Sequence, residues 1–170
     1  MRRVFFALWP DDATRSAVSQ LSECLEQPGL RKLKSTNLHV TLAFLGNVEE
    51  DVILTLRQRA RTLRSSSVTL QFDEIDYWSR PRIVCLTCQK QPLSLYQLVN
   101  ALNQLIRDLP VHKESRPFRA HMTLARKAKY RPQICFNAIS MQAKKFALVE
   151  SVSLASGVEY RLIESWELQA

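Results

Sequence analysis

Residues 37–46 read Asn-Leu-His-Val-Thr-Leu-Ala-Phe-Leu-Gly, and residues 120–125 repeat the centre of that segment as Ala-His-Met-Thr-Leu-Ala. Each segment is a short, mostly apolar run of the kind that forms a buried β-strand. Side chains two positions apart on a strand point to the same face of the sheet. The sequence therefore predicts that each histidine shares a surface with the threonine that follows it, while the residues between them point into a core.

The two pairs, His39 with Thr41 and His121 with Thr123, use two of the three histidines in the chain. Composition alone would give both pairs with a probability of roughly 0.007. One such pair on a strand is usually structural, but two identical pairs favour a shared function. The third histidine, His112, has no threonine partner and is predicted to be exposed and non-catalytic.

The predicted elements around the two motifs follow the same order. An apolar strand over residues 4–9 precedes a helix capped by Asp11 or Asp12, and a basic loop leads to the first motif. An apolar strand over residues 83–87 precedes a helix that begins at Pro92, and a second basic loop leads to the second motif. This order indicates an internal duplication that would bring both histidine strands to one cleft, although an ordinary α+β chain with alternating elements would look similar.

Two imidazoles at one cleft suit acid–base chemistry at phosphorus. The unperturbed pKa of histidine is about 6.5, so one ring can act as a base while the other, held protonated by a nearby anion, acts as an acid. Threonine hydroxyls and main-chain N–H groups can donate to the phosphate oxygens. The chain has no carboxylate cluster suited to a metal, so we expect chemistry without a metal and without a cofactor.

The composition is typical of a globular chain, because 46% of its 170 residues are hydrophobic and 24% are charged. A chain of this length can bury a core without disulfides or a metal, which argues against a disordered tail, a fibrous repeat or a small disulfide scaffold. The net charge of +8 favours an anionic partner such as nucleic acid or a phosphate ester. A basic surface that only maintains solubility would give the same charge.

The cysteines are predicted to be free thiols. Cys85 and Cys88 have the spacing of a metal or redox pair, but they lie three apart on a predicted strand, so their sulfur atoms would face opposite sides of the sheet. Reduced thiols favour the cytosol. The apolar run over residues 4–9 is too short for a signal peptide, and no run approaches the roughly 18 apolar residues of a membrane span. We therefore expect a soluble, cytoplasmic monomer with no membrane partner.

The segments 37–46 and 116–126, with the opening Arg3-Val-Phe-Phe-Ala-Leu, strongly resemble the two-histidine (2H) phosphoesterase superfamily. Within it, the chain is most similar to the bacterial LigT-like RNA 2′,3′-cyclic phosphodiesterases, historically called 2′-5′ RNA ligases. The resemblance implies a single bilobal α+β domain over residues 1–170, with pseudo-two-fold symmetry, two antiparallel sheets flanking a central cleft, and helices on the outside. It also implies hydrolysis of a terminal RNA 2′,3′-cyclic phosphate to a 2′-phosphomonoester, with tRNA fragments among the candidate substrates.

The same resemblance implies roles for the motif residues. His39 matches the proton donor to the leaving 3′ oxygen, and His121 matches the proton acceptor that activates water. Thr41 and Thr123 match threonines that bind the phosphate.

Four further residues are candidates for substrate binding. Arg126 matches a basic residue that would neutralise the phosphate, but strict alternation places it on the face opposite His121 unless the strand twists or ends early. Trp78 and Arg80 belong to an aromatic and basic cluster on which an RNA base could stack, or which could be ordinary packing at a hairpin. Arg119 lies in the basic loop before the second motif and could steer RNA, or could be a solvated loop charge.

Two other functions are compatible with these residues. An enzyme of the same superfamily could join RNA reversibly through 2′-5′ bonds, or open a small cyclic nucleotide. A non-catalytic RNA-binding module would instead carry both histidines as structural residues, and would tolerate their replacement by alanine.

Overall fold

Three α-helices and ten β-strands make up residues 1–170 of the computed structural model. In chain order they are β1 Arg2–Leu8, α1 Asp12–Glu23, β2 Arg31–Lys32, β3 Val40–Val48, α2 Glu50–Thr62, β4 Val68–Phe72, β5 Glu74–Trp78, β6 Ile83–Thr87, α3 Leu93–Leu105, β7 His121–Arg126, β8 Ile139–Ala143, β9 Lys145–Leu154 and β10 Gly157–Glu167. A short 3-10 turn, Ser35–Asn37, precedes β3. The predicted α+β class is confirmed.

Most strands belong to one antiparallel sheet with the order β10-β9-β1-β3-β7-β6-β5, and β2 adds to it beside β7. The contact between β3 and β7 is narrow, because Val40 opposite Met122 is the one pair in register there. The sheet is thus continuous, but it consists of two halves joined at its centre. Strands β4 and β8 form a separate two-stranded sheet. The expected pair of sheets around a cleft is therefore seen only in part.

The predicted repetition is visible in the topology. Strand β1, helix α1 and strand β3 form the central unit of one half, and β6, α3 and β7 form that of the other. In each unit the two strands pair antiparallel to one another. The two histidine strands therefore meet at the centre of the sheet, where β3 lies beside β7.

A main core of 37 buried residues packs between the sheet and the helices. Helix α1 begins where the sequence predicts, because the carboxylate of Asp11 accepts a hydrogen bond from the Thr14 N–H at 2.7 Å. Its buried face includes Val18 and Leu21, and α3 contributes Leu95 among others. No helix of the chain is both long enough and apolar enough to cross a membrane.

Several predicted boundaries were wrong. The alternation of apolar and polar residues over 68–78 predicts one half-buried strand. The structure has two strands there, because the buried positions change phase at Asp73, which accepts the Gln89 N–H. As a result β4 pairs with β8, whereas β5 pairs with β6. Pro110 predicts the end of helix α3, because proline cannot continue a helix, but the helix already ends at Leu105. Strands β8 and β2 were not predicted. The positions of β8 alternate between buried and exposed, whereas the two exposed residues of β2 carry no such pattern.

We predict that Met122→Ala lowers the free energy of unfolding by about 2–4 kcal/mol, since it leaves a cavity where the two halves of the sheet meet. Met122 is fully buried and is in register with both Val40 and Leu86. Urea denaturation measures the change. The matched control is Leu154→Ala, at a position that is 41% exposed and should change stability by less than about 0.5 kcal/mol. Equal small effects from both variants would contradict the structure at this junction.

Candidate active site

The two histidine–threonine pairs lie on the same side of the central sheet. The intervening positions, Val40 and Met122, are fully buried in the main core, as predicted, and the histidines and threonines themselves are only half-buried. His39 stands immediately before β3, and His121 is the first residue of β7. The core is therefore on one face of the sheet and the candidate site on the other.

Both motif strands contain a bulge immediately after the threonine. In β3, Thr41 is in register with Ala7 and Ala43 with Phe6, so one residue of β3 has no counterpart in β1. In β7, Thr123 is in register with Cys85 and Ala125 with Val84, which leaves out one residue in the same way. In each strand the leucine and alanine after the threonine are both buried, so the alternation of faces shifts by one position.

The bulge in β7 removes the conflict over Arg126. Strict alternation would place this side chain on the face opposite His121, but the extra buried residue returns it to the histidine side, where it is exposed. Its positive charge is among the causes that lower the pKa of both His39 and His121. Arg126 therefore lies near enough to both imidazoles for its charge to affect them.

Aromatic side chains surround His39. Its ring lies 5.0 Å from Phe5, 4.8 Å from Tyr160 in an edge-on arrangement, and 5.8 Å from Trp9 in a stacked arrangement. The Nδ1–H donates to the carbonyl of Asn37 at 2.7 Å. This bond assigns the proton of the neutral ring to Nδ1, so Nε2 accepts from the Thr41 hydroxyl at 3.1 Å.

Burial lowers the pKa of His39 to about 4. The hydrogen bond to Asn37 acts in the opposite direction, while the charges of His121 and Arg126 lower the pKa further. The two rings are thus near enough for the charge on one to affect the other. In the absence of an anion, His39 is neutral at physiological pH.

His121 lies beside one aromatic ring and near two arginines. Its Nδ1–H donates to the carbonyl of Arg119 at 3.0 Å, as the corresponding bond does for His39, and the Nε2 lone pair is left free. Trp78 packs against the ring with a centroid separation of 4.4 Å. Burial lowers the pKa of His121, and the charges of Arg119 and Arg126 lower it further.

Asp76, which the sequence analysis did not single out, connects two of the predicted binding residues. Its carboxylate accepts from the Trp78 indole N–H at 3.0 Å and pairs with the Arg119 guanidinium at 3.1 Å. The guanidinium in turn lies 5.6 Å from the centre of the Trp78 ring. Strand register places Asp76 beside Cys85 and Cys85 beside Thr123, so the carboxylate belongs to the face that carries the site.

The remaining residues considered from the sequence differ in their exposure. Arg80 is exposed in the turn between β5 and β6. His112 is exposed, as predicted. Cys85 and Cys88 are free and buried, and burial raises their pKa values to about 12 and about 11. Only Cys88 belongs to the main core, which confirms that the two thiols diverge.

Phe5, Trp9 and Tyr160 also form part of the site. Phe5 follows from alternation along β1, since its neighbour Phe6 is fully buried in the core. Tyr160 lies on β10, far from the motifs in sequence, and no local pattern identifies it. No group of three or more His, Cys, Asp or Glu side chains in the chain has a metal-binding arrangement.

Comparison with known proteins finds relatives along the whole chain. Residues 8–85 match the model of a family described as LigT like phosphoesterase. An RNA 2′,3′-cyclic phosphodiesterase of Escherichia coli K12 is 30% identical over 98% of this chain and 97% of its own length. An RNA 2′,3′-cyclic phosphodiesterase of Archaeoglobus fulgidus is 24% identical over 97% of this chain and 99% of its own length. A crystal structure of E. coli LigT complexed with 3′-AMP matches with a TM-score of 0.89 at 28% identity, and 99% of each chain is covered.

The lowered pKa of His39 predicts a pH-dependent stability. Its pKa is about 4 in the folded protein and about 6.5 in the unfolded chain, so the unfolded chain binds more protons between these values. The free energy of unfolding should therefore fall as the pH decreases from about 6.5 to about 4. His39→Gln should weaken this dependence in urea unfolding measured across that range.

His112→Gln is the matched control, because it removes an exposed imidazole. It should leave the wild-type dependence on pH unchanged. Parallel stability curves for wild type and His39→Gln would show that His39 is not held neutral by burial.

Proposed function

This chain belongs to the RNA 2′,3′-cyclic phosphodiesterase family of LigT-like phosphoesterases, in the 2H superfamily, and we propose that it opens a terminal RNA 2′,3′-cyclic phosphate to a 2′-phosphomonoester. The observation that carries this proposal is the matched pair of imidazoles, each held by a bond from Nδ1–H to the carbonyl two residues earlier. Both rings thereby keep Nε2 for chemistry on the same face of the sheet.

We further propose that the two halves of the sheet act as two lobes of one domain over residues 1–170. The narrow contact between β3 and β7 leaves each half with its own histidine, threonine and outer strands. A phosphate bound over this junction would contact both. The arrangement supports the bilobal cleft expected for the family.

In the proposed reaction, His121 is the general base. Its lowered pKa keeps Nε2 unprotonated at neutral pH, so this nitrogen can take a proton from water as the water oxygen attacks phosphorus. The bond between phosphorus and the 3′ oxygen then breaks. The 2′ oxygen keeps the phosphate, and the 3′ oxygen needs a proton.

His39 supplies that proton in the proposed reaction. The free protein holds this ring neutral, but a bound phosphate anion beside it would favour the imidazolium and oppose the cost of burial. Because Nδ1–H donates to the carbonyl of Asn37, the second N–H of the imidazolium is at Nε2. The Nε2 proton is transferred to the 3′ oxygen. Solvent exchange afterwards restores the original protonation of both rings.

Thr41, Thr123 and Arg126 are proposed to bind the non-bridging phosphate oxygens. The Thr41 hydroxyl is 3.1 Å from Nε2 of His39, so one bound group can be within reach of both. Arg126 supplies a positive charge near both rings, where negative charge develops during in-line displacement. Trp78, Arg80 and Arg119 remain proposed contacts for the terminal nucleotide itself.

RNA is the proposed partner because the chain carries a net charge of +8 and because its relatives are RNA phosphodiesterases. A crystal structure of LigT, which is similar to this chain in fold, is complexed with 3′-AMP, which supports nucleotide binding by this chain.

The direct test is incubation with RNA that ends in a 2′,3′-cyclic phosphate, followed by identification of the product. We expect a 2′-phosphate, formed at an unchanged rate in excess EDTA. Joined RNA strands would favour the ligase alternative, and a 3′-phosphate would contradict the proposed bond cleavage. Loss of activity in EDTA that a divalent ion restores would contradict catalysis by two histidines alone.

We predict that His39→Ala and His121→Ala each reduce turnover by about 100-fold or more, because each removes one proton-transfer group. The matched control, His112→Ala, should retain wild-type turnover, and circular dichroism should show that all three variants are folded. Near-normal turnover in either of the first two variants would refute the paired mechanism and favour a binding module.

A further inference from the structure

A pocket of about 430 Å³ adjoins the candidate site on the side of His39. Its apolar lining includes Trp9 and Leu162, its floor includes Ala147, and Lys144 and Lys145 contribute positive charge. This volume is within the range of small-molecule sites, and the mixture of apolar and convergent polar groups is typical of them. The mechanism proposed above does not use this pocket.

Strand register connects the pocket to the phosphate-binding residues. Thr41 is opposite Ala7, Ala7 is opposite Ala147, and Ala147 is opposite Ser165. Residues opposite one another in an antiparallel sheet have side chains on the same face, so this row runs from Thr41 across the sheet to the pocket. Ala147 and Ser165 both line the pocket, which is therefore an outward continuation of the site's own surface.

Trp9 separates the pocket from His39. Its ring is stacked at 5.8 Å from the imidazole, and it also lines the pocket. Phe5 and Tyr160 occupy other sides of the same imidazole. A group in the pocket would thus lie about one aromatic ring away from the reacting phosphate, rather than at it.

We propose that this pocket binds the penultimate nucleotide of the RNA, the one on the 5′ side of the nucleotide that carries the cyclic phosphate. The inference rests on the proposed function. A cyclic phosphate is at the 3′ end of its strand, so the rest of the RNA leaves the site only from the 5′ side of the terminal nucleotide. The pocket offers an apolar and aromatic wall for a base, and lysines for a phosphate.

The charges at the pocket suit an anion. The side chain of Lys145 pairs with Glu167 at 2.9 Å, but both are well exposed, so a phosphate can replace this partner at little cost. The acidic residue in the lining, Asp11, already caps helix α1 through the Thr14 N–H. The charge of Lys144 is one of the causes that lower the pKa of Asp11.

The test compares two substrates on the same enzyme, a nucleoside 2′,3′-cyclic monophosphate and a trinucleotide RNA with the same terminal nucleotide and a 2′,3′-cyclic phosphate. The double variant Lys144→Ala/Lys145→Ala should lower kcat/KM for the trinucleotide about tenfold, through KM, and leave the mononucleotide within about twofold of wild type. The slope of log KM against log salt for the trinucleotide should also decrease in magnitude by about 1.

A second variant tests whether the RNA needs the open volume of the pocket, rather than the charges of its lysines. Ser165 is exposed on the pocket floor, so Ser165→Phe should fill the pocket without disturbing the core, and should selectively reduce trinucleotide hydrolysis. The charge-matched control is Arg64→Ala/Arg107→Ala, which removes two exposed arginines that follow helices α2 and α3. This control should leave hydrolysis of both substrates unchanged.

The possible results are distinguishable. If wild type hydrolyses neither substrate, the proposed function itself is wrong. If wild type hydrolyses both and the lysine variant loses neither or loses both equally, the pocket does not bind a penultimate nucleotide. An effect of the lysine variant without an effect of Ser165→Phe, or an equal effect of the arginine control, would assign the loss to general attraction of RNA and overturn the pocket assignment.

Discussion

The site depends on one hydrogen bond that occurs twice. In each motif the imidazole Nδ1–H donates to the carbonyl two residues earlier, Asn37 for His39 and Arg119 for His121. A neutral imidazole has one N–H, so this bond decides which nitrogen remains as the acceptor. It also fixes the orientation of each ring against its own strand. A bulge follows the threonine in each strand, and in β7 it returns Arg126 to the face of the sheet that carries both histidines.

The two halves differ in what surrounds this common framework. His39 is enclosed by Phe5, Trp9 and Tyr160, whose rings exclude water and disfavour a charge unless an anion is present. His121 lies beside Trp78, which Asp76 and Arg119 hold by polar contacts. Because the surroundings of the two histidines differ, the same side chain can be protonated differently at the two positions. This difference is consistent with the acid and base roles proposed here.

The sequence predicted the parts of the fold that local patterns determine. The strand preceding each helix, the cap at Asp11 and the buried positions on either side of each threonine follow from periodicity and capping chemistry. The position of Arg126 did not follow, because alternation along one strand cannot reveal a bulge that depends on the register of its neighbour. Tyr160 and Asp76 likewise reach the site through pairing between distant strands. The apolar positions change from even-numbered to odd-numbered residues at Asp73, and this change is visible in the sequence. Treating residues 68–78 as a single strand ignores it.

His39 and His121 are proposed to act on one phosphate. The most direct measurement is ¹⁵N NMR of the imidazole side chains during titration with a nucleoside 2′-monophosphate, the class of product proposed. If both rings contact the same phosphate, the Nε2 resonances of His39 and His121 will shift together with a single dissociation constant, while Nδ1 of both rings remains protonated and His112 does not respond. Shifts confined to one of the two rings, or two different dissociation constants, would show that the two histidines do not share a phosphate.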